Sequence, residues 1–223
     1  MIILENITKT FDDGNKDLEI LKNISIEIET GKKVAIIGPS GSGKTTLLSI
    51  ISGLDKPTSG RVFIDNIDIH QLSEKDISVF RNKKISIIFQ SFELIQFFSA
   101  YENAQLALSI RNEKNMEQVD IVLEKVGLTH RKNNMPATLS GGEQQRVAIA
   151  RAILSGSDII FADEPTGNLD QLNGKKVLDL LLEVVKKSNK TFVIITHDMN
   201  IASQMDVIYS IENGVLQKLE PKK

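Results

Sequence analysis

Cysteine is absent from this 223-residue sequence, which excludes disulfide staples, thiolate metal sites and thiol nucleophiles and fits a reducing compartment. Net charge is nearly absent as well. The 27 Lys and Arg against 29 Asp and Glu leave −2, so no overall basic field attracts nucleic acid or anionic lipid, and nucleic acid is not an expected partner. No uncharged apolar run reaches the roughly 20 residues that cross a bilayer. The opening Met1-Ile2-Ile3-Leu4-Glu5 is unlike a basic-then-apolar leader, so the expectation is a chain that starts folded, stays inside the cell and meets any membrane through a partner. Internal repeats and low-complexity tracts are missing too, and only Pro221-Lys222-Lys223 reads as a loose end.

What is present is 41% apolar residues, ample to bury the core of a single domain with subdivisions. Four β-rich apolar blocks, Val34–Ile37, Ile85–Phe89, Ile159–Ala162 and Phe192–Ile195, read as strands buried on both faces and imply a mostly parallel core sheet. Helix-length segments at Lys44–Ser52, Glu143–Leu154 and Asn173–Lys187 alternate with them, the pattern of an α/β fold. Two stretches break the alternation. Near the N-terminus Ile24, Ile26 and Ile28 alternate with Ser25, Glu27 and Glu29, which predicts a half-exposed antiparallel β subdomain. From about Ser91 to Gly141 a strand signal is lacking, while Val119, Val122, Leu123 and Val126 recur at helical spacing; residues 91–141 are expected to form an inserted helical subdomain within one domain, 1–223.

The strongest local signal is Gly38-Pro39-Ser40-Gly41-Ser42-Gly43-Lys44-Thr45-Thr46, a G-x-x-x-x-G-K-[ST] match that follows a predicted strand and opens a predicted helix. Glycines let successive backbone N–H groups and a helix N-terminus close on phosphate oxygens where a Cβ would block approach. Lys44 then reaches the β and γ phosphates of ATP, and the Thr45 hydroxyl ligates Mg²⁺. A glycine-rich strand-to-helix turn without a ligand is the plain alternative. The strand Asp158–Ala162 delivers two adjacent carboxylates, Asp163 and Glu164, at the end where parallel sheets place ligands. Asp163 suits the metal, directly or through water, and Glu164 suits the polarising of an attacking water. Adjacent acids at a strand end also make ordinary solvated turns.

The segment Leu139-Ser140-Gly141-Gly142-Glu143-Gln144-Gln145-Arg146, just before a predicted helix, narrows the class. An N-cap followed by two glycines is one account of it, and Ser140 with the exposed amides of Gly141 and Gly142 makes a second anion site. This segment resembles the signature sequence of the ABC ATPases. The resemblance covers nearly the whole chain and implies further roles. Gln90 matches the glutamine that senses metal and water and links to the membrane partner; Asn168-Leu169-Asp170 matches the D-loop; His197 matches the histidine that contacts the γ phosphate. Phe11 stands where an aromatic stacks on adenine, although tyrosine is commoner there and a core phenylalanine is the alternative.

The family pattern implies a head-to-tail homodimer with ATP sandwiched between copies, so that Ser140, Gly141, Gly142 and Asp170 act in trans. It also implies an integral membrane permease subunit as partner and a cytoplasmic location, peripheral on the inner face of the membrane. Gly53–Gly60, Phe89–Leu94, Tyr101-Glu102-Asn103 and Ala162–Asp170 are most similar to the subgroup powering lipoprotein release, macrolide export and antimicrobial-peptide resistance. That subgroup implies export or extraction of a lipophilic, peptide or drug-like substrate. A regulatory ATPase of a cell-division membrane complex and a soluble non-transport ABC protein are the alternatives. The apolar run Phe92, Leu94, Ile95, Phe97 and Phe98 reads either as subdomain core or as a groove for a helix of the membrane subunit. His70 and His130 match nothing in the pattern and read as surface or packing histidines.

Overall fold

A computed structural model describes residues 1–12, 14, 17–113 and 115–219; Pro221, Lys222 and Lys223 lie outside the described residues. The backbone groups into two compact units, Met1–Arg81 with the stretch from Lys190 onward, and Asn82–Asn189. Among the described residues no helix is long and apolar enough to cross a membrane.

In the first unit, β1 (Ile2–Asp12) and β2 (Asp17–Ile28) pair antiparallel, and β4 (Ser59–Ile64) and β5 (Ile67–Asp68) extend the sheet in the order β2-β1-β4-β5. The alternation at 24–28 is the reason. Ile24 and Ile28 are buried while Ser25 and Glu27 face out, because successive side chains on a strand point to opposite faces. The N-terminal antiparallel sheet expected from this pattern is therefore present. A second sheet region holds β3 (Lys33–Ile37), β8 (Thr191–Ile195), β9 (Val207–Glu212) and β10 (Val215–Leu219) in the order β10-β9-β3-β8. Here β3 runs parallel to both β8 and β9, and β9 turns back antiparallel into β10. The turn is Asn213-Gly214, at φ 49° and 80°, the left-handed pair that matches strand twist in a tight hairpin. Helix α1 (Lys44–Ile51) follows β3, α2 (Glu74–Lys84) follows β5, and α7 (Met199–Ala202) follows β8.

In the second unit β6 (Ile85–Ile88) and β7 (Ile159–Asp163) pair parallel. All five residues of β7 are buried, and Ile160 and Phe161 are wholly so; burial of side chains this size stabilises by about 1.5–3 kcal/mol each. Between β6 and the long helix α5 (Gly141–Leu154) the chain is helical: α3 (Ala100–Ile110), α4 (Met116–Lys125) and short 3-10 turns at Thr129–Arg131 and Pro136–Thr138. Helices α3, α4 and α5 pack on one another. Val119, Val122 and Leu123 form the buried stripe of α4, as their spacing predicts. Helix α6 (Gln171–Ser188) follows β7. An α/β fold with mostly parallel core strands, an antiparallel N-terminal sheet and inserted helices is thus what the chain adopts.

Candidate functional site

In the first unit, β3 ends in a buried apolar run, Val34, Ala35 and Ile36, and the chain leaves it through Gly38 at φ 155°. The loop closes at Gly43, the N-cap of α1, with φ 99°. A Cβ on Gly43 would stand 2.9 Å from Leu21 Cδ2 and 3.1 Å from the carbonyl of Ile20, so glycine is required both by conformation and by space. No side chain caps α1, and its first turn carries no acidic residue. By contrast Ser99, Asn115, Ser140, Asp170 and Asp198 cap α3, α4, α5, α6 and α7. The uncapped amides of α1 therefore keep their positive end of the helix dipole for an external anion.

Two buried groups of the loop point to the same ligand. Lys44 is 7% exposed, and its Nζ donates to the carbonyls of Gly38 (3.0 Å) and Pro39 (2.8 Å), with no carboxylate partner among the described residues. The Ser42 hydroxyl is buried without a hydrogen-bond partner. A buried cation on neutral carbonyls and an unsatisfied hydroxyl are both costly in a ligand-free fold and both complementary to phosphate. Ser40 and Gly41 are exposed on the loop, Thr45 is exposed in the first turn of α1, and Thr46 is half-buried.

Phe11, near the end of β1, is 46% exposed and so lies outside the core. Lys9 Nζ sits 4.9 Å from its ring centroid, held there by Asp55 at 2.8 Å and by the Lys56 carbonyl at 2.8 Å. His197 is exposed directly after β8 and Thr196. The next residue, Asp198, donates its N–H to Thr196 Oγ1 (3.0 Å) and caps α7 by accepting from the Asn200 N–H (2.7 Å).

In the second unit, Asp163 ends β7 and is 8% exposed. Glu164 adopts a left-handed φ of 44°, and its carbonyl accepts from the Gly167 N–H at 2.9 Å, so the carboxylate sits on a tight, strained turn at the strand end. The structure brings Gln90 and the D-loop together: Gln90 Nε2 donates to Asn168 Oδ1 (3.1 Å), and Asn168 Nδ2 donates back to the Gln90 carbonyl (3.0 Å). Sequence reasoning placed Asn168 in a motif without giving it this partner. Asn103, which it also left without a role, is fully buried. Its amide accepts from the Ile95 N–H and donates to the carbonyls of Ile95, Phe98 and Ser99. That scaffold presents Phe97, which is 89% exposed.

Ser140 opens α5 through a capping box. Its hydroxyl accepts from the Glu143 N–H (3.3 Å), and the Glu143 carboxylate accepts from the Ser140 N–H (2.8 Å) and from Arg131 Nε (3.0 Å). The Ser140 backbone N–H, and after it the hydroxyl and Arg131, hold the Glu143 carboxyl below its ordinary pKa against the opposing effect of desolvation. Asp170 caps α6 by accepting from Asn173 N (3.1 Å) and Nδ2 (2.6 Å), bonds that lower its pKa in the same way. A Cβ on Gly142 would lie 3.4 Å from Asn173 Cβ, and one on Gly141 would lie 3.2 Å from Leu169 Cδ2. Gly142 and Asp170 therefore meet at Asn173, and Gly141 lies against Leu169 beside them.

Among the described residues no group of three or more His, Asp or Glu could hold a metal unaided. Mg²⁺ does not need one, since it binds through one or two carboxylates together with substrate phosphates and water. A hydroxyl, an amide and a carboxylate of the Thr45, Gln90 and Asp163 type are the donor chemistry such an ion takes.

Known proteins resemble this chain over nearly its whole length. Residues 21–167 match the family model described as ABC transporter. The chain is 41% identical over 222 residues to the lipoprotein-releasing system ATP-binding protein LolD of Treponema denticola, covering 98% of each. It is 43% identical to LolD of Legionella pneumophila strain Lens over 97% of this chain and 96% of that one. It is 42% identical to the ABC transporter ATP-binding protein MJ0796 of Methanocaldococcus jannaschii over 99% and 97%. The solved dimeric structure of MJ0796 bound to ADP and Pi, a post-hydrolysis state, superposes with a TM-score of 0.91 at 39% identity over the whole of both chains. With a phosphate loop, a carboxylate pair at the end of β7 and a capped Ser-Gly-Gly signature in place, this chain belongs to the ABC transporter family, as one of its ATP-hydrolysing chains.

Proposed function

We propose that two copies of this chain form the ATP-driven motor of a membrane complex of the lipoprotein-releasing type, working on a lipophilic substrate through an integral permease subunit. The observation that carries it is the uncapped N-terminus of α1 with buried Lys44 and the unpartnered Ser42 hydroxyl, a receptor built for polyphosphate. In this assignment Gly38, Ser40, Gly41, Ser42, Gly43, Lys44, Thr45 and Thr46 take the phosphates of ATP, and Phe11 offers its exposed ring to adenine. Thr45, Gln90 and Asp163 serve Mg²⁺, which when bound neutralises charge on the β and γ oxygens. Glu164 takes a proton from the attacking water, Gln90 orients that water, and His197 contacts the γ phosphate.

Ser140, Gly141, Gly142 and Asp170 serve the ATP of the second copy. The capping box is compatible with this role, because the Ser140 hydroxyl takes only the Glu143 N–H and the amides of Gly141 and Gly142 ahead of it are the ones offered to an anion. Loss of the γ phosphate would remove the link between copies, so that opening and closing reach the permease as motion. The assembly is placed on the inner face of the membrane through that permease, as the kinship with LolD supports.

Concentration dependence tests the dimer. Phosphate release per chain should rise with protein concentration until dimers saturate, and Ser140→Arg should abolish turnover while leaving ATP binding by the single chain intact. A specific activity independent of dilution, with Ser140→Arg fully active, would refute the trans assignment. Isolation of the chain with membranes, together with a permease chain, tests the rest.

A further inference from the structure

The segment that leaves β6 passes through two consecutive left-handed residues, Phe92 at φ 65° and Glu93 at φ 48°. Neither is glycine, Asn or Asp, so the conformation is disfavoured and persists only where the surroundings impose it. One side chain grips both. Arg151, in the last turn of α5, donates Nη1–H to the Glu93 carbonyl at 2.6 Å and Nη2–H to the Phe92 carbonyl at 3.1 Å. A guanidinium is a planar fork that satisfies two neighbouring acceptors at once, which a lysine ammonium on a flexible stem does not reproduce. Burial depresses the Arg151 pKa, with only the Glu93 charge opposing it. A half-buried cation among carbonyls is costly to keep, and its worth lies in the geometry it enforces.

The same segment is tied on both sides of the strained pair. Before it, Gln90 exchanges two hydrogen bonds with Asn168, and Gln145 Nε2 on α5 lies 3.5 Å from the Phe89 carbonyl. Within it, the Phe92 ring covers the first signature glycine: a Cβ on Gly141 would meet Phe92 Cζ at 3.6 Å. We propose that Arg151 is a positioning residue for ATP turnover, which by holding Phe92 and Glu93 left-handed keeps Gln90 on Asn168 and the Phe92 ring over Gly141. Residues 89–93 and α5 then move as one piece. This rests on the assignment of Gln90 to the metal and the attacking water.

The test is steady-state phosphate release by the full-length chain against ATP and against Mg²⁺, for Arg151→Met, Arg151→Lys, Glu93→Gly, Arg151→Met with Glu93→Gly, and Gln90→Ala. Arg151→Met should lower kcat by about tenfold or more, the scale on which small misplacements act, and should raise the Mg²⁺ concentration needed for half-maximal rate. Arg151→Lys should fall between. Glycine adopts the left-handed conformation freely, so Glu93→Gly in the Arg151→Met background should restore at least half of the lost rate. A purely structural role would lower Tm and the yield of folded protein without this rescue. The inference is overturned if Arg151→Met turns over within twofold of the parent, or if Glu93→Gly leaves its loss unchanged. Should Arg151→Met not fold, Arg151→Lys with and without Glu93→Gly decides by the same rescue. Gln90→Ala with unchanged kcat and Mg²⁺ dependence would refute the Gln90 assignment alone, since the Arg151 outcome is read from rate and rescue.

Discussion

Replacing Gly38 by alanine should cost the fold far more than replacing Gly41, although both belong to the same loop. At Gly38 an added Cβ would stand 2.3 Å from the backbone oxygen of Ile211, 2.9 Å from Ser42 Oγ and 3.1 Å from Ile211 Cγ2. A side chain could rotate away, but the Ile211 carbonyl belongs to β9, which is hydrogen-bonded in register along β3, with Ile37 opposite Ser210. Relief therefore requires the strands to shift. Overpacking of this kind costs about 1–3 kcal/mol, and holding alanine at φ 155° adds about 1–3 kcal/mol. A sum of roughly 2–6 kcal/mol is a large share of a total stability near 5–15 kcal/mol. At Gly41, with φ 77°, an added Cβ meets nothing within 4 Å, so only the left-handed penalty of about 1–2 kcal/mol remains. Urea unfolding followed by circular dichroism should show Gly38→Ala shifted further than Gly41→Ala, by about twofold or more at the middle of the two ranges. Binding of a fluorescent ATP analogue should be weakened by Gly41→Ala despite its near-normal fold, because the open space above Gly41 is where phosphate would approach. Equal unfolding midpoints for the two variants, or Gly38→Ala within about 0.5 kcal/mol of the parent, would refute the steric argument.

Three further outcomes are expected. Glu164→Gln keeps the shape of the side chain and removes its basicity, so phosphate release should fall by about 10²–10⁴ while ATP binding persists and an ATP-bound dimer accumulates on size exclusion; undiminished hydrolysis would contradict Glu164 as the base. Phe97→Glu changes a side chain that is 89% exposed, so stability should move by no more than about 0.5 kcal/mol and ATP binding should be kept, while transport by the assembled complex is lost; retained transport would remove Phe97 from the partner surface. The lowered pKa values of Glu143 and Asp170 set the sign of an acid effect. A carboxylate depressed in the folded state contributes stability that is complete above its unfolded pKa of about 4 and is lost as pH falls through the folded value. Thermal melts between pH 6 and pH 3 should therefore lose more stability in the parent than in a Glu143→Gln variant, and parallel curves would count against the capping box.

Much of the fold is legible because its signals are local. Strand runs such as Ile159–Ala162 are buried on every residue, so apolarity alone marks them, and Gly43-Lys44 places the start of α1 to the residue. The C-terminal hairpin β9–β10 is less legible although Asn213-Gly214 is a strong turn signal, because its flanking strands mix polar residues with apolar ones and Val215 and Gln217 are exposed. Helix α2 leaves no pattern for a related reason: Ile77 is its one buried residue, too little to make a periodic stripe. His70 shows the limit from the other side. Its Nε2 lies 3.1 Å from the carbonyl of Ile50 near the end of α1, a contact that no sequence pattern distinguishes from any other histidine.

The candidate site divides along the same line. Lys44, Asp163, Glu164 and Ser140 stand out because the proposed ligand demands a particular side chain at a fixed spacing from a turn or a helix end, and that demand is written in adjacent residues. The side chains that fix the backbone from Gln90 to Ser99 make a different demand. Asn168 reaches the backbone oxygen of Gln90, Asn103 reaches those of Ile95, Phe98 and Ser99, and Arg151 reaches those of Phe92 and Glu93. A carbonyl is supplied by every residue whatever its side chain, so the accepting partner leaves no mark in the sequence, and Arg151 lies 58 positions from Glu93. What betrays such a contact is the backbone it restrains. Phe92, Glu93 and Glu164 are left-handed without being glycine or asparagine, and each lies within three residues of Gln90 or Asp163, where a strained conformation is tolerable only if the surrounding bonds over-determine it.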